Sequence, residues 1–195
     1  MTDRISDSVI ENLTEKVKNA DKILVLGIGE VNMADDGFGP YISTHFHENK
    51  KSNEKVLFIN GKTNYIDRKR EIIGFNPDLI LILDTCESGN PPGTVIFADE
   101  QKMVDWVPIS SHVIPIQIFT QTLRNELPNM EAYLLGVNPF SLEPPEERDL
   151  YRPKEYELDD YDNDPDLPFY AFNMTEKMLK ISNEVIKILE KILEI

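Results

Sequence analysis

The sequence is poor in cysteine, in long apolar runs and in basic residues. It has one cysteine among 195 residues, Cys86, so no disulfide framework can form within the chain. No apolar run is long enough to cross a membrane, and no charged segment followed by an apolar one marks a secretion signal. We therefore expect a cytoplasmic protein in a reducing compartment, with no membrane partner.

Basic residues are outnumbered, with 20 Lys and Arg against 35 Asp and Glu, which gives a formal net charge of -15. A surface of that charge repels phosphate backbones, so we expect no nucleic-acid partner. Hydrophobic residues make up 41% of the chain, and 195 residues suffice for a buried core. We expect a single domain over residues 1–195 that acts as a monomer.

Apolar runs typical of strands buried on both faces occur at residues 22–29, 56–60, 78–84 and 132–137. Stretches with helix-like patterns separate them. This alternation predicts an α/β fold, a three-layer αβα sandwich around a mostly parallel, twisted sheet of about five strands. Residues 94–97 are the candidate edge strand.

Two amphipathic helices are predicted at the ends of the chain. The first, an extra N-terminal helix over about residues 5–19, places Val9, Leu13 and Val17 on one face. The second begins with Asn173 as N-cap and Glu176 as the capping-box residue. Its predicted apolar stripe consists of Ile181, Val185, Ile188, Ile192 and Ile195.

The composition changes sharply over about residues 143–168. Between positions 143 and 166 there are 11 acidic and three basic residues, a net charge of -8. Few aliphatic side chains occur there, so the stretch cannot cover a core face. We interpret it as a solvated acidic insertion, and the alternative is a docking surface for the partner.

Glycines after the first strand raise the possibility of a nucleotide-binding regulator. Gly27 and Gly29 match the first two glycines of a dinucleotide fingerprint, but Asn32 occupies the third position. Gly61-Lys62-Thr63 resembles the end of a phosphate-binding loop, yet Val56 stands where its first glycine belongs. Both matches are incomplete, which argues against a nucleotide site.

Acidic and imidazole side chains follow the predicted strands, where open α/β sheets bind their ligands. Asp35 and Asp36 follow the first strand, and we expect Asp35 to cap the next helix while Asp36 points into the crevice. Asp84 ends an apolar strand, a costly place for a carboxylate without a partner. His112 precedes a helix-like run at residues 113–123, and its context alone favours a structural role.

Taken in order, these motifs resemble the hydrogenase maturation endopeptidases. The resemblance spans residues 23–192, with the first helix extra and the acidic stretch longer than expected. Glu30 departs from it, because the family commonly has Asn there, and we expect its side chain to point to water. The motifs that carry the resemblance are Leu26-Gly27-Ile28-Gly29, Asp35-Asp36-Gly37-Phe38-Gly39-Pro40, Leu83-Asp84, Pro92-Gly93-Thr94, Ser110-Ser111-His112 with Pro115, Leu134-Leu135-Gly136-Val137 and Phe169-Tyr170.

The resemblance implies a phosphorylase/hydrolase-like fold and a metal-dependent, aspartic-type endopeptidase activity. In that family a nickel ion is ligated at positions that correspond to Asp36, Asp84 and His112. The nickel is supplied by the substrate, a nickel-iron hydrogenase large-subunit precursor, and other divalent metals can replace it. The enzyme removes the C-terminal extension of that precursor. Either Asp36 or Asp84 is the expected catalytic acid, and no separate cofactor-binding residue is implied.

Two alternatives to this mechanism stay open. A noncatalytic nickel-checkpoint module would use the same ligands without cutting the precursor. A nucleophilic peptidase would use Cys86 with His112, although a lone cysteine is more often buried and inert. We assign Cys86 to packing and expect His45 and His47 at the surface. Residues 60–64 are expected to border the substrate cleft.

Overall fold

A computed structural model describes residues 5–100, 102, 115–143 and 173–195. Its five strands form one sheet in the order β2-β1-β3-β5-β4. The first four of these run parallel, whereas β4 pairs antiparallel with β5 at the edge. The mostly parallel five-stranded sheet predicted from the sequence is therefore confirmed. The strands are β1 (Ile23–Ile28), β2 (Val56–Lys62), β3 (Leu79–Thr85), β4 (Val95–Asp99) and β5 (Glu131–Val137).

Helices cover both faces of the sheet. They are α1 (Asp7–Asn19), α2 (Phe38–Glu48), α3 (Lys69–Phe75), α4 (Ile116–Arg124) and α5 (Glu176–Leu193). Short 3-10 turns, Ala34–Gly37 and Tyr65–Arg68, precede α2 and α3. Among the described helices, none combines the length and apolar character that a membrane span requires.

Two apolar clusters hold the layers together. One joins α1, α2 and α5 to the sheet through residues such as Leu13, Phe46 and Ile181. The other joins α3 and α4 to the opposite face through Ile72 and Phe119. Strands β1 and β3 lie between the clusters and are buried along their whole length. This is the expected three-layer αβα arrangement, and it explains why both strands are uninterrupted apolar runs.

Helix α1 follows the sequence pattern, whereas α5 differs from it in its N-cap and in its buried face. Helix α1 is capped by Ser6 and buries Val9, Leu13 and Val17, as predicted. Helix α5 is capped by Thr175, whose hydroxyl accepts a hydrogen bond from the Met178 N–H at 3.2 Å. The predicted cap at Asn173 is therefore wrong, and Glu176 lies in the first helical position.

The buried face of α5 also turns away from the predicted stripe. Ile181 and Val185 are buried as expected, but Leu189 and Leu193 continue the buried face. Ile188 and Ile192 are only partly buried, at the edge of the cluster. Ile188 and Ile192 lie at one flank of the buried face, because positions three and four apart are both neighbours on a helix surface and the spacing alone does not select between them. The buried face consists of Met178, Ile181, Ser182, Val185, Ile186, Leu189 and Leu193.

Candidate active site

The order in which strands are added to the sheet reverses between β1 and β3, although these two strands are parallel. The chain moves from β1 outward to β2, then returns to place β3 on the other side of β1. In open α/β sheets, the crevice beyond the carboxyl ends of two such strands is where ligands bind. Asp36 lies in the turn that follows β1, and Asp84 lies at the end of β3. The structure thus brings two of the three predicted site residues to one crevice.

Glycines allow the Asp36 turn to lie directly on the strand ends. A Cβ atom at Gly39 would overlap the carbonyl oxygen of Leu83 and the backbone of Ile28. At Gly29, φ is 140°, and a Cβ there would overlap the carbonyl oxygen of Asp36. Ala34 adopts φ of 45°, an uncommon conformation for a residue with a side chain. This local geometry sets the position of the following carboxylates.

Asp36 is held by two donors from different strand ends. Its Oδ2 accepts a hydrogen bond from the Glu30 N–H at 2.7 Å, and its Oδ1 accepts one from the Thr85 hydroxyl at 2.5 Å. Only 2% of the residue is exposed. Asp36 is therefore a buried carboxylate with a fixed orientation rather than a surface acid.

Asp84 lies toward the opposite face of β3. Its Oδ1 accepts a hydrogen bond from the Thr85 N–H at 2.8 Å, and the residue is 7% exposed. Burial, together with the smaller effect of the negative charge of Asp84, raises the pKa of Tyr65 to about 12. The same two causes raise the pKa of Cys86 to about 12. The charge of Asp84 thus raises the pKa of two buried neighbours, Tyr65 and Cys86, because charges interact strongly in a buried apolar environment.

Cys86 does not have the properties of a nucleophile. Its side chain is 3% exposed, and a Cβ added at Gly136 would lie 2.7 Å from its sulfur. Because its pKa is raised to about 12, the thiol stays protonated at neutral pH, whereas the reactive form is the thiolate. These observations support packing as the role of Cys86 and weaken the cysteine peptidase alternative.

Asp35 has a structural role, but not the predicted one. Helix α2 begins after Gly37 without any side-chain cap, so Asp35 does not cap it. Instead, its fully buried carboxylate accepts hydrogen bonds from the N–H groups of Phe140 (2.8 Å), Ser141 (3.2 Å) and Thr175 (2.8 Å). It joins the segment after β5 to the start of α5. We call Asp35, Phe140, Ser141 and Thr175 the anchor region.

The end of β2 lies beside β1 and contains a bulge. The pairing register of β1 with β2 shifts at this point. Gly27 pairs with Asn60 and Ile28 pairs with Lys62, so Gly61 is the extra residue. Bulges often occur next to active sites, where they redirect side chains. Lys62 takes φ of 47° there. Residues 60–62 thus lie at the same carboxyl-terminal end of the sheet as Asp36, and the border of the substrate cleft at residues 60–64 stays a prediction.

The surface residues singled out in the sequence contribute little to the crevice. Glu30 reaches Asp36 through its backbone N–H, while its carboxylate accepts hydrogen bonds from Asn32 at 3.1 Å. On α2, His47 is exposed and His45 is partly buried with its ring against Phe46. His47 lies at the surface as expected, and His45 does so in part.

His112, the third predicted ligand, lies outside the described residues, as do residues 144–168 of the acidic stretch. Helix α4, which follows His112 in the chain, begins at Ile116 and packs on the sheet face toward which Asp84 lies. Within the ranges that the structure describes, no three His, Cys, Asp or Glu side chains group closely enough to hold a metal. The described donors are the two carboxylates, whose oxygens suit a divalent cation.

The sequence reasoning overlooked Thr85. This threonine contacts both candidate carboxylates, one through its hydroxyl and the other through its backbone N–H. A polar residue directly after Asp84, at the end of an otherwise apolar strand, was the available signal. We call Asp36, Asp84 and Thr85 the crevice region.

The crevice is a poor phosphate site. In nucleotide-binding α/β folds, the phosphates lie at the N-terminus of the helix that follows the first strand. Here the carboxylates of Asp35 and Asp36 stand immediately before α2 and are both buried. Two negative charges at that position disfavour an anion, which further weakens the nucleotide alternative.

Comparison with known proteins identifies relatives of the chain. Residues 40–150, more than half of its length, match the family model HycI, described as hydrogenase maturation protease. A protein from Methanocaldococcus jannaschii, provisionally named a hydrogenase maturation protease, is 28% identical over 141 residues, which are 66% of this chain and 79% of that protein. The hydrogenase expression/formation protein HupD of Rhizobium leguminosarum is 29% identical over 86 residues, 43% of this chain and 41% of HupD.

Solved structures share the fold. The NiFe hydrogenase maturation protease HycI from Thermococcus kodakarensis superposes with a TM-score of 0.71 at 20% identity, covering 94% of this chain and 99% of that one. The hydrogenase maturating endopeptidase HybD from E. coli superposes with a TM-score of 0.55 at 20% identity, covering 89% and 92% of the two chains. At these identities, the superpositions establish a common architecture.

Proposed function

Since the chain belongs to the hydrogenase maturation protease family, we propose that it removes the C-terminal extension of a nickel-iron hydrogenase large-subunit precursor after nickel insertion. In this proposal the nickel arrives as part of the precursor, so it belongs to the substrate. The protease senses that metal and cleaves only the loaded precursor.

The proposed nickel ligands are Asp36, Asp84 and His112. Carboxylate oxygens and an imidazole nitrogen suit a borderline divalent cation, and three protein donors leave positions open for groups of the precursor. Other divalent metals carried by the precursor are proposed to substitute for nickel. In this proposal Asp36 contributes from the turn after β1, Asp84 from the end of β3, and His112 from the part of the chain that precedes α4.

Hydrolysis of the peptide bond needs a base to accept a proton from the attacking water. We assign that role to Asp36 or Asp84, because a carboxylate close to the scissile bond can act as general base. The metal held by the precursor would orient the scissile segment and polarise its carbonyl group. The fixed orientation of Asp36, set by Glu30 and Thr85, keeps the carboxylate ready without rearrangement.

One observation carries the proposal: two buried carboxylates stand at the ends of β1 and β3 and both accept a hydrogen bond from Thr85. Burying a carboxylate costs free energy unless it is well hydrogen-bonded. Asp35 shows how the fold uses a carboxylate as a structural anchor, whereas Asp36 and Asp84 stand at the edge where ligands bind.

The proposal is tested with a large-subunit precursor from the same organism, prepared with and without nickel. The purified protein is added, and the C-terminal mass of the precursor is followed over time, with His112→Ala in parallel. We expect loss of a C-terminal peptide only from loaded precursor and only with intact His112. Tight nickel-dependent binding without any mass change would contradict proteolysis and would favour the checkpoint module.

A further inference from the structure

Thr85 donates a hydrogen bond to each of the two candidate catalytic carboxylates. Its hydroxyl donates to Asp36 Oδ1 at 2.5 Å, and its N–H donates to Asp84 Oδ1 at 2.8 Å. The residue is 1% exposed, so these hydrogen bonds are shielded from water. A buried hydrogen bond to an ionised group is stronger than one at the surface.

The backbone of β3 makes both contacts possible. Successive side chains in a strand point to opposite faces, so Asp84 and Thr85 extend in opposite directions. Thr85 pairs with Val137 of β5 in the sheet, which fixes its backbone. Because threonine is β-branched, its χ1 angle is also restricted. The donor hydroxyl therefore has a defined position relative to both strands.

Each oxygen of the Asp36 carboxylate accepts a hydrogen bond from a different donor. The Glu30 N–H holds Oδ2, and the Thr85 hydroxyl holds Oδ1. Without the Thr85 hydroxyl, Oδ1 would lose this donor, and the terminal torsion of the carboxylate is intrinsically soft. Removal of the hydroxyl would leave the carboxylate in place but without a single fixed plane.

We propose that Thr85 is a positioning residue for peptide cleavage, which orients the Asp36 carboxylate and couples it to Asp84. This inference rests on the proposed function. It predicts an effect on the chemical step rather than on precursor binding, because Thr85 is only 1% exposed and so offers almost no surface to the precursor. Misplacement of a catalytic group by about 1 Å can cost roughly 100-fold in rate.

The test uses a matched set of threonine variants. Thr85→Val removes the hydroxyl but keeps the branched shape and the backbone N–H, and Thr85→Ser restores the hydroxyl. Thr120→Val is the control, since Thr120 is also 1% exposed but its hydroxyl bonds only to the Gln117 carbonyl at 3.0 Å among the described contacts. Urea unfolding confirms that each variant is folded. Thr85→Ala replaces Thr85→Val if the latter does not fold.

Cleavage of nickel-loaded precursor is measured at several precursor concentrations. We expect Thr85→Val to lower kcat by roughly 10-fold to 100-fold with KM unchanged within about twofold. Thr85→Ser should recover most of the wild-type kcat, and Thr120→Val should match the wild type. Equal kcat values for Thr85→Val and the wild type would overturn the proposal, as would a loss that Thr85→Ser fails to restore.

A second readout does not depend on activity. Crystal structures of the wild type, Thr85→Val and Thr85→Ser are compared at the Asp36 side chain. We expect the carboxylate plane to be rotated or split between orientations in Thr85→Val and unchanged in Thr85→Ser. An unmoved Asp36 in Thr85→Val would overturn the positioning role. If the wild type itself cleaves nothing, the proposed function fails, and this comparison still decides whether Thr85 orients Asp36.

Discussion

The anchor region and the crevice region contain adjacent, equally buried carboxylates with different surroundings. Asp35, in the anchor region, accepts hydrogen bonds from three backbone N–H groups of distant segments. Asp36, in the crevice region, lies at the strand ends and is held by Glu30 and Thr85. Burial alone therefore does not separate the structural carboxylate of Asp35 from the proposed catalytic carboxylate of Asp36. The two differ in their hydrogen-bond donors and in their position relative to the strand ends.

The largest predicted effect is on catalysis at Asp36. Asp36→Asn keeps the size of the side chain but removes the charge that, in the proposed mechanism, would accept a proton or ligate the metal of the precursor. We expect cleavage of the loaded precursor to fall by at least about 100-fold, the lower end of what general-base catalysis contributes. Initial rates of C-terminal peptide release measure the effect. Cleavage within a few-fold of the wild type would remove the distinction between the two aspartates.

The opposite behaviour is expected in the anchor region. Asp35→Ala leaves the N–H groups of Phe140, Ser141 and Thr175 without their acceptor, and each unsatisfied buried donor costs about 1–3 kcal/mol. We expect the free energy of unfolding to fall by at least about 3 kcal/mol in urea titrations. Asp35→Asn, which keeps one acceptor oxygen, serves as the control and should lose less. A fully stable Asp35→Ala variant would show that Asp35 is no anchor.

The buried thiol beside Asp84 gives a smaller, pH-dependent effect. The pKa of Cys86 is raised from 9.0 to about 12, so the folded state retains its proton where the unfolded state has lost it. The contribution of Cys86 to the free energy of unfolding is therefore complete below pH 9. Above that pH it decreases by about 1.4 kcal/mol per pH unit until the pH reaches the pKa of the folded state. Unfolding free energies between pH 8 and pH 11 measure this slope. Cys86→Ser should show a shallower decline, and parallel slopes would contradict the assignment.

The smallest predicted effect is on the cleavage rate of Cys86→Ser, in contrast to the substitutions of the nearby carboxylates. Because the thiol is buried and protonated, Cys86→Ser should cleave the loaded precursor at nearly the wild-type rate. The same mass assay checks this, with Asp36→Asn as the inactive reference. Loss of cleavage in a folded Cys86→Ser variant would restore the cysteine peptidase alternative.

The strands were predictable from the sequence because their environment is simple. Strands β1 and β3 are buried on both faces, so an uninterrupted apolar run is sufficient to locate them. The ends of the runs were correct to within two residues. Helix α5 was less predictable, since Asn173 and Thr175 are both good N-caps and only tertiary contacts select Thr175.

The site was predictable in position but not in its contacts. Asp36 and Asp84 follow adjacent parallel strands, so topology alone places them at one crevice. The role of Asp35 could not be derived, because its donors Phe140 and Thr175 lie 105 and 140 positions away in the chain. Thr85 was missed for a similar reason, since its partner Asp36 is 49 positions away.

The most direct test of the account is a single-turnover reaction of Asp84→Asn with nickel-loaded precursor, alongside the wild type. The account predicts that the variant binds the precursor but releases no C-terminal peptide, while the wild type converts it completely. Urea unfolding of both proteins verifies that the variant is folded. Peptide release by Asp84→Asn at an undiminished rate would contradict the assignment of the β1 and β3 crevice as the site of cleavage.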